Sequence, residues 1–229
     1  DKHPHGLANS SGMVGTNYMA HLATMMQGFH PLRVNDTVFQ KTVAINDYYF
    51  AGPRGAYPLG HIQSQGRTHG IMAKVVGDTI IPGIPLAAYD AWVARGVDWL
   101  AMSEDLPNPD NRVTVTPDGR IRLDYVPNNL TAHGQLVETT TRMLKRLGYW
   151  KVMRHSHKSR NTTHQCGTCC FGTEPATSVL DPFCRTHDVE NLFVVAASFF
   201  PSSAAVNPGL TIIAQALRVA DHIRETEWR

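Results

Sequence analysis

A chain of 229 residues that is 42% hydrophobic and 17% charged can bury a sizeable core, as one large domain or two smaller ones. Its net charge of +2 and pI near 8.4 come without a clustered basic stripe, so nothing points to nucleic acid as a partner. No run approaches the ~20 apolar residues of a membrane-spanning helix, and the mixed Lys, Arg and His stretch from Lys151 to Arg160 reads as solvated surface.

The chain opens on Asp1 without an apolar leader, which implies that further sequence lies upstream. Its four cysteines are Cys166, Cys169, Cys170 and Cys184. They are too few and too clustered for a disulfide scaffold, and favour a reducing, cytoplasmic compartment.

In chain order, Gly12 to His21 is a glycine-punctuated loop leading into a short helical stretch. Residues 37–50, from Thr37-Val38-Phe39-Gln40 to Tyr48-Tyr49-Phe50, are β-branched and aromatic and read as strand. Ile62 to Gln65 reads as a short strand, beside a Gly-rich stretch that carries His61 and His69. Pro85 to Met102 has Ala-rich helical character, with Tyr89, Trp92, Val93, Val97, Trp99 and Leu100 as its apolar positions. Residues 112–126 form the clearest hairpin, because Val113, Val115, Ile121, Leu123 and Tyr125 alternate about Pro117-Asp118-Gly119. Asn128 to Leu147 predicts a helix capped by Asn128, Asn129 or Thr131 and ended by Gly148; Tyr149 to Met153 predicts a strand. Phe193 to Ala197 is an apolar run expected of a strand covered on both faces. Thr211 to Glu227 predicts a helix with Ile212, Ile213, Ala216, Leu217, Ala220 and Ile223 on one side.

Several residues suggest chemistry. Asn207 directly precedes Pro208, a residue suited to the first turn of a helix, so Asn207 is a good cap for the last helix. The unpaired N–H groups there, at Gly209 and Leu210, can meet a negative charge. Cys166, Cys169 and Cys170 with His164 or His187 invite a metal reading, but adjacent Cys169 and Cys170 do not easily face one ion; buried thiols are the alternative. No metal ligands are assigned.

Thr163-His164-Gln165-Cys166-Gly167-Thr168 is followed by Val179-Leu180-Asp181-Pro182, by Asn191 to Pro201, and by Ser202-Ser203-Ala204-Ala205-Val206-Asn207-Pro208-Gly209-Leu210-Thr211. That order and spacing resembles the C-terminal signature of the glucose-methanol-choline (GMC) oxidoreductases, FAD-dependent alcohol and sugar oxidases and dehydrogenases. Gly15-Thr16-Asn17-Tyr18 resembles a flavin-contacting segment of the family, which more often has Arg where Thr16 stands. Where the family's strand ends in Val-Asp-Ala-Ser, this chain has Val195-Ala196-Ala197-Ser198 and lacks the carboxylate.

The resemblance implies an α+β or α/β fold. In it an antiparallel-sheet substrate domain at 35–164 is flanked by parts of a Rossmann-like FAD domain at 1–34 and 165–229. It implies FAD as cofactor, His164 as the base that removes a hydroxyl proton, and Asn207 as the partner that hydrogen-bonds the substrate oxygen. Gly15, Asn17, Ala196, Ala197, Pro208, Gly209 and Leu210 become candidate cofactor contacts, and His61 and Gln63 candidate substrate contacts. A sugar is the first substrate expected. Since no Gly-x-Gly-x-x-Gly follows a strand, a second polypeptide or an N-terminal segment is expected to supply the absent dinucleotide-binding half. The alternatives are a truncated or accessory non-catalytic chain of the same fold, and a Cys/His metal-binding module.

Overall fold

A five-stranded antiparallel sheet organises one of two compact units in the computed structural model, which describes all residues except 1–2, 4, 54–56, 78–80, 157–162 and 227–229. This unit takes Leu22–Ser103 and Leu130–Lys158. Its strands are β1 (Leu22–Phe29), β2 (Ala44–Ile45), β3 (His61–Gly66), β4 (Gly96–Ser103) and β7 (Lys151–Ser156), in the spatial order β2-β3-β4-β1-β7 among the described residues. Helices α1 (Gly70–Gly77) and α2 (Leu86–Val93) lie in the connection from β3 to β4.

Helix α3 (Leu130–Arg146) supplies the other side of this unit's core. Leu136, Thr140 and Leu144 recur every four residues, so they share one helix face, and all three are buried. Leu136 and Leu144 belong with Met26, Ile62, Trp99 and Ala101, which pair in register across β1, β3 and β4 and so point to one face of the sheet. The helix ends in a Schellman turn: Gly148 adopts φ +90°, its N–H donates to the Lys145 carbonyl, and Tyr149 N–H donates to that of Leu144.

The second unit takes Asp1–His21, Glu104–Asn129 and Ser159–Arg229. It holds the hairpin of β5 (Arg112–Val115) and β6 (Ile121–Asp124) and the helix α4 (Gly209–Thr226). Gly119 makes the hairpin turn at φ +80°, and buried Asn111 closes its base through two hydrogen bonds to the Val126 backbone. Val219 of α4 packs with Val179, Leu180, Cys184 and Phe199.

Several expectations change. The stretch before Leu22 leads into strand β1 rather than a helix. Of residues 37–50, Ala44–Ile45 alone are strand, between bends at 39–41 and a turn at 47–49. The helix expected from Pro85 to Met102 stops at Val93, and Gly96 onward forms β4, bonded on both edges by β1 and β3. Phe193 to Ala197 is no regular strand: Phe193 makes one bridge to Arg185, and Ala197–Phe199 curls into a 3-10 turn. On α4 the buried residue is Val219, while Ile213 and Leu217 are exposed. Lys151–Ser156 of the surface stretch is strand β7, and residues 157–160 lie outside the described residues, as does Glu227 of the predicted last helix. The unit borders differ from those at 34/35 and 164/165. Strand β1, expected in the opening segment, joins the sheet, and the hairpin, expected with the sheet, belongs to the other unit.

Candidate active site

The hairpin unit brings His164 and Asn207 together: Asn207 Nδ2 lies 3.5 Å from His164 Nε2. His164 sits at φ +58°, the left-handed region, and Gly167, three residues on, sits at φ +96°. A Cβ at Gly167 would fall 2.1 Å from the Asn17 carbonyl oxygen, so only glycine lets this segment close against the Asn17 backbone. Asn17 is itself left-handed at φ +56°, and the antiparallel bridge between Met19 and Cys166 carries the pairing onward.

Behind His164 stands a second histidine, outside the motif that carries His164 and Asn207. His21 Nδ1 lies 2.9 Å from His164 Nδ1, and the rings meet edge to face with centroids 4.7 Å apart. His21 Nε2 is 2.8 Å from the Ser203 carbonyl. Ser203 is fixed in turn: its hydroxyl accepts from Asp105 N–H at 3.0 Å and lies 2.9 Å from the Asp105 carbonyl.

Asp105 is the hub beneath. Its carboxylate accepts from Tyr125 Oη–H at 3.0 Å, Asn128 N–H at 3.1 Å and Ala20 N–H at 3.3 Å. Burial pushes its pKa up, against those hydrogen bonds, and burial with the neighbouring carboxylate raises that of Tyr125. The neighbouring Ser202 hydroxyl bonds the Glu104 carboxylate. The loop that carries Asn207 is thus tied at 202–203 to the segment at 104–105.

Asn207, expected to cap the last helix, lies one place before the residue that does. The first bond of α4 runs from Ile212 N–H to the Pro208 carbonyl, so Pro208 holds the cap position and Gly209 opens the helix. Gly209 and Leu210 are exposed, a Cβ on Gly209 would meet nothing within 4 Å, and the first turn carries no acidic residue. An exposed helix start of this kind can donate to a ring carbonyl or to an anionic edge.

Gly15 has a packing role: its N–H donates to the Thr168 carbonyl and its own carbonyl accepts from Val113 N–H, both at 2.8 Å. A Cβ there would meet the Val113 oxygen at 2.3 Å. Ala196 is exposed and its carbonyl accepts from Phe199 N–H; that of Ala197 accepts from Phe200 N–H.

His61 and Gln63 belong to the sheet unit, on one face of β3. His61 Nδ1 lies 2.7 Å from Asn46 Oδ1, Nε2 lies 3.4 Å from Gln63 Oε1, and burial lowers the ring's pKa. Gln63 is 6% exposed, yet its Nε2 has no hydrogen-bond partner among the described residues. A buried amide in that state costs roughly 1–3 kcal/mol, which a bound hydroxyl would recover.

All four cysteines are free, and no group of three or more His, Cys, Asp or Glu among the described residues could hold a metal ion. Burial pushes the thiols up, Cys166 to about 12 and Cys170 to about 11, so they stay neutral and act as small hydrophobes. No helix among the described residues is long and apolar enough to cross a membrane.

The family model for GMC oxidoreductase matches residues 107–216. The chain is 30% identical over 238 residues to the fructose dehydrogenase large subunit of Gluconobacter japonicus, covering 97% of this chain and 43% of that protein. It is 36% identical over 125 residues to paromamine 6'-oxidase of Streptomyces fradiae, covering 51% of this chain and 23% of that one. Among solved structures, pyridoxine 4-oxidase from Mesorbium loti superposes with a TM-score of 0.57 at 17% identity, covering 93% of this chain and 44% of that chain. The chain therefore spans less than half the length of these relatives.

Proposed function

Because this chain carries the C-terminal domain of the GMC oxidoreductases, a family of FAD-dependent enzymes, we propose that the whole protein oxidises a hydroxyl of a sugar, glycoside or other alcohol to a carbonyl. The observation that carries the reading is the pairing of His164 Nε2 with the Asn207 amide at the exposed start of α4. His164 Nε2 takes the proton of the substrate hydroxyl. The Asn207 amide donates to the substrate oxygen and holds it beside the base without competing for its proton. FAD held beside these residues would supply the two-electron acceptor for the hydride of the carbinol carbon.

The donor set suits that cofactor. N–H groups of Gly209 and Leu210, behind Pro208, offer hydrogen bonds and a partial positive charge to the pyrimidine edge of a flat ring. Gly15, Asn17, Ala196 and Ala197 are proposed cofactor neighbours through their backbone. His61 and Gln63 are proposed substrate contacts, supported by the unpartnered amide of Gln63.

A sugar is the favoured substrate. The fructose dehydrogenase and paromamine oxidase among the relatives support that choice. The dinucleotide-binding half is proposed to come from an N-terminal segment or a second polypeptide. Support comes from α4, where Leu210, Ile213 and Leu217 are 84%, 59% and 64% exposed at helical spacing, an apolar stripe suited to a covering chain.

The test is His164→Ala in the complete flavoprotein, followed by anaerobic reduction of the flavin with a panel of sugars. Loss of a positioned base lowers the rate by about 10²–10⁴-fold. Reduction at the parent rate would remove His164 from the chemistry.

A further inference from the structure

A base works only if the nitrogen facing the substrate carries a lone pair, and a neutral imidazole has one such nitrogen. We infer that His21 is the positioning residue that fixes His164 in its Nδ1–H tautomer, so that Nε2 presents the lone pair. The inference deepens the proposed role of His164 as base and rests on it.

The proton assignment follows from the partners. A carbonyl oxygen can only accept, so the Ser203 carbonyl, 2.8 Å from His21 Nε2, requires the proton there. A neutral His21 then has a bare Nδ1. Two facing ring nitrogens at 2.9 Å need one proton between them, so His164 Nδ1 must carry it. His164 Nε2 is left bare. The Asn207 Nδ2–H on that side suits a lone pair and would clash with a second N–H.

The relay is built to keep its sense. His21 is 5% exposed, and its backbone N–H donates at 3.2 Å to the carbonyl of Thr163, the residue before His164. Ser203, also 5% exposed, is locked to the Asp105 backbone through its hydroxyl, so the carbonyl that sets the relay is not free to turn away. The edge-to-face ring contact and the left-handed backbone of His164 hold the second ring against the first. During turnover the substrate proton goes to Nε2, the ring becomes an imidazolium, and Nδ1–H still donates to His21. His21 therefore stabilises the charged form without taking the proton, as a tautomer-holding partner does in other catalytic relays.

The direct test is long-range ¹H–¹⁵N spectroscopy of the complete flavoprotein labelled at histidine, which distinguishes a protonated ring nitrogen from a bare one. The expected result is His164 protonated at Nδ1 and His21 at Nε2; a His164 proton on Nε2 overturns the inference. Two variants sharpen it. His21→Phe keeps the ring volume and removes the acceptor, so His164 should populate both tautomers. The mixed tautomer and the loss of ring positioning should together lower the flavin-reduction rate about 10- to 100-fold, with KM moving less than about two-fold. His21→Asn returns an oxygen acceptor near the Nδ1 position and should recover much of the rate. If His164→Ala is inactive while His21→Phe keeps both rate and tautomer, the positioning role fails and the base survives. If His164→Ala keeps the parent rate, the base itself fails.

Discussion

Two histidine networks, one in each unit, contrast in where they lead. In the sheet unit His133 lies between hydroxyls: Nδ1 is 3.0 Å from Ser103 Oγ and Nε2 is 2.8 Å from Thr24 Oγ1. Ser103 spends its proton on the Leu59 carbonyl at 2.6 Å, so it accepts from His133 Nδ1–H. Thr24 then donates to Nε2 and accepts from Ser156 at 3.1 Å. Every position in that chain is filled, and a closed network of this kind specifies packing. The chain from Asp105 through Ser203 and His21 to His164 is equally ordered, but it ends at an exposed Asn207 across 3.5 Å. A network that reaches an exposed amide beside a helix start is, on the proposed reading, placed to act on a substrate. On the proposed reading the same residue type is structural in one unit and reactive in the other, because of what its last ring nitrogen faces.

The closed network is open to a pH test. Burial lowers the pKa of His133 from 6.5 to about 4. Between those values the unfolded chain binds a proton that the folded chain does not, so stability is full above about pH 6.5 and falls as pH drops toward 4. The loss amounts to roughly 3 kcal/mol. Denaturant titrations from pH 7 to pH 4 should show it, and His133→Leu should flatten this component. A wild-type profile unchanged over that range would mean that the network tolerates a charged ring.

Gln63 stands between the two cases, buried beside His61 with one amide group unpartnered. Gln63→Leu removes the unpartnered amide but also the oxygen that faces His61 Nε2, so the melting temperature should shift by less than ~2–4 °C. The same change should raise KM for the substrate by about ten-fold with kcat held, the signature of a lost binding contact. A gain in stability with no change in KM would make Gln63 structural.

The hairpin was legible in the sequence because its signal is local: Asp118-Gly119 makes the turn and alternation does the rest. Helix α3 was legible because its apolar spacing matches one buried face. Strand β1 was not, since Leu22-Ala23-Thr24-Met25-Met26-Gln27-Gly28-Phe29 lacks β-branched residues apart from Thr24 and forms through pairing with distant β4 and β7. Strand β4 was hidden for the opposite reason: Val97, Trp99 and Leu100 continue the apolar spacing of α2, and Gly96 marks the change. His164 and Asn207 stand out through the signature around them, and the fold brings the two side chains together. His21 lies 143 positions from His164 and outside that signature, so its role emerges from tertiary geometry alone.

The most direct test of His164 as the base is chemical rescue. In the complete flavoprotein, His164→Ala should reduce its flavin very slowly with a sugar that reduces the parent protein. Added imidazole should restore the rate saturably, because a free base fills the cavity left by the ring. Rapid reduction in His164→Ala without imidazole would contradict the account.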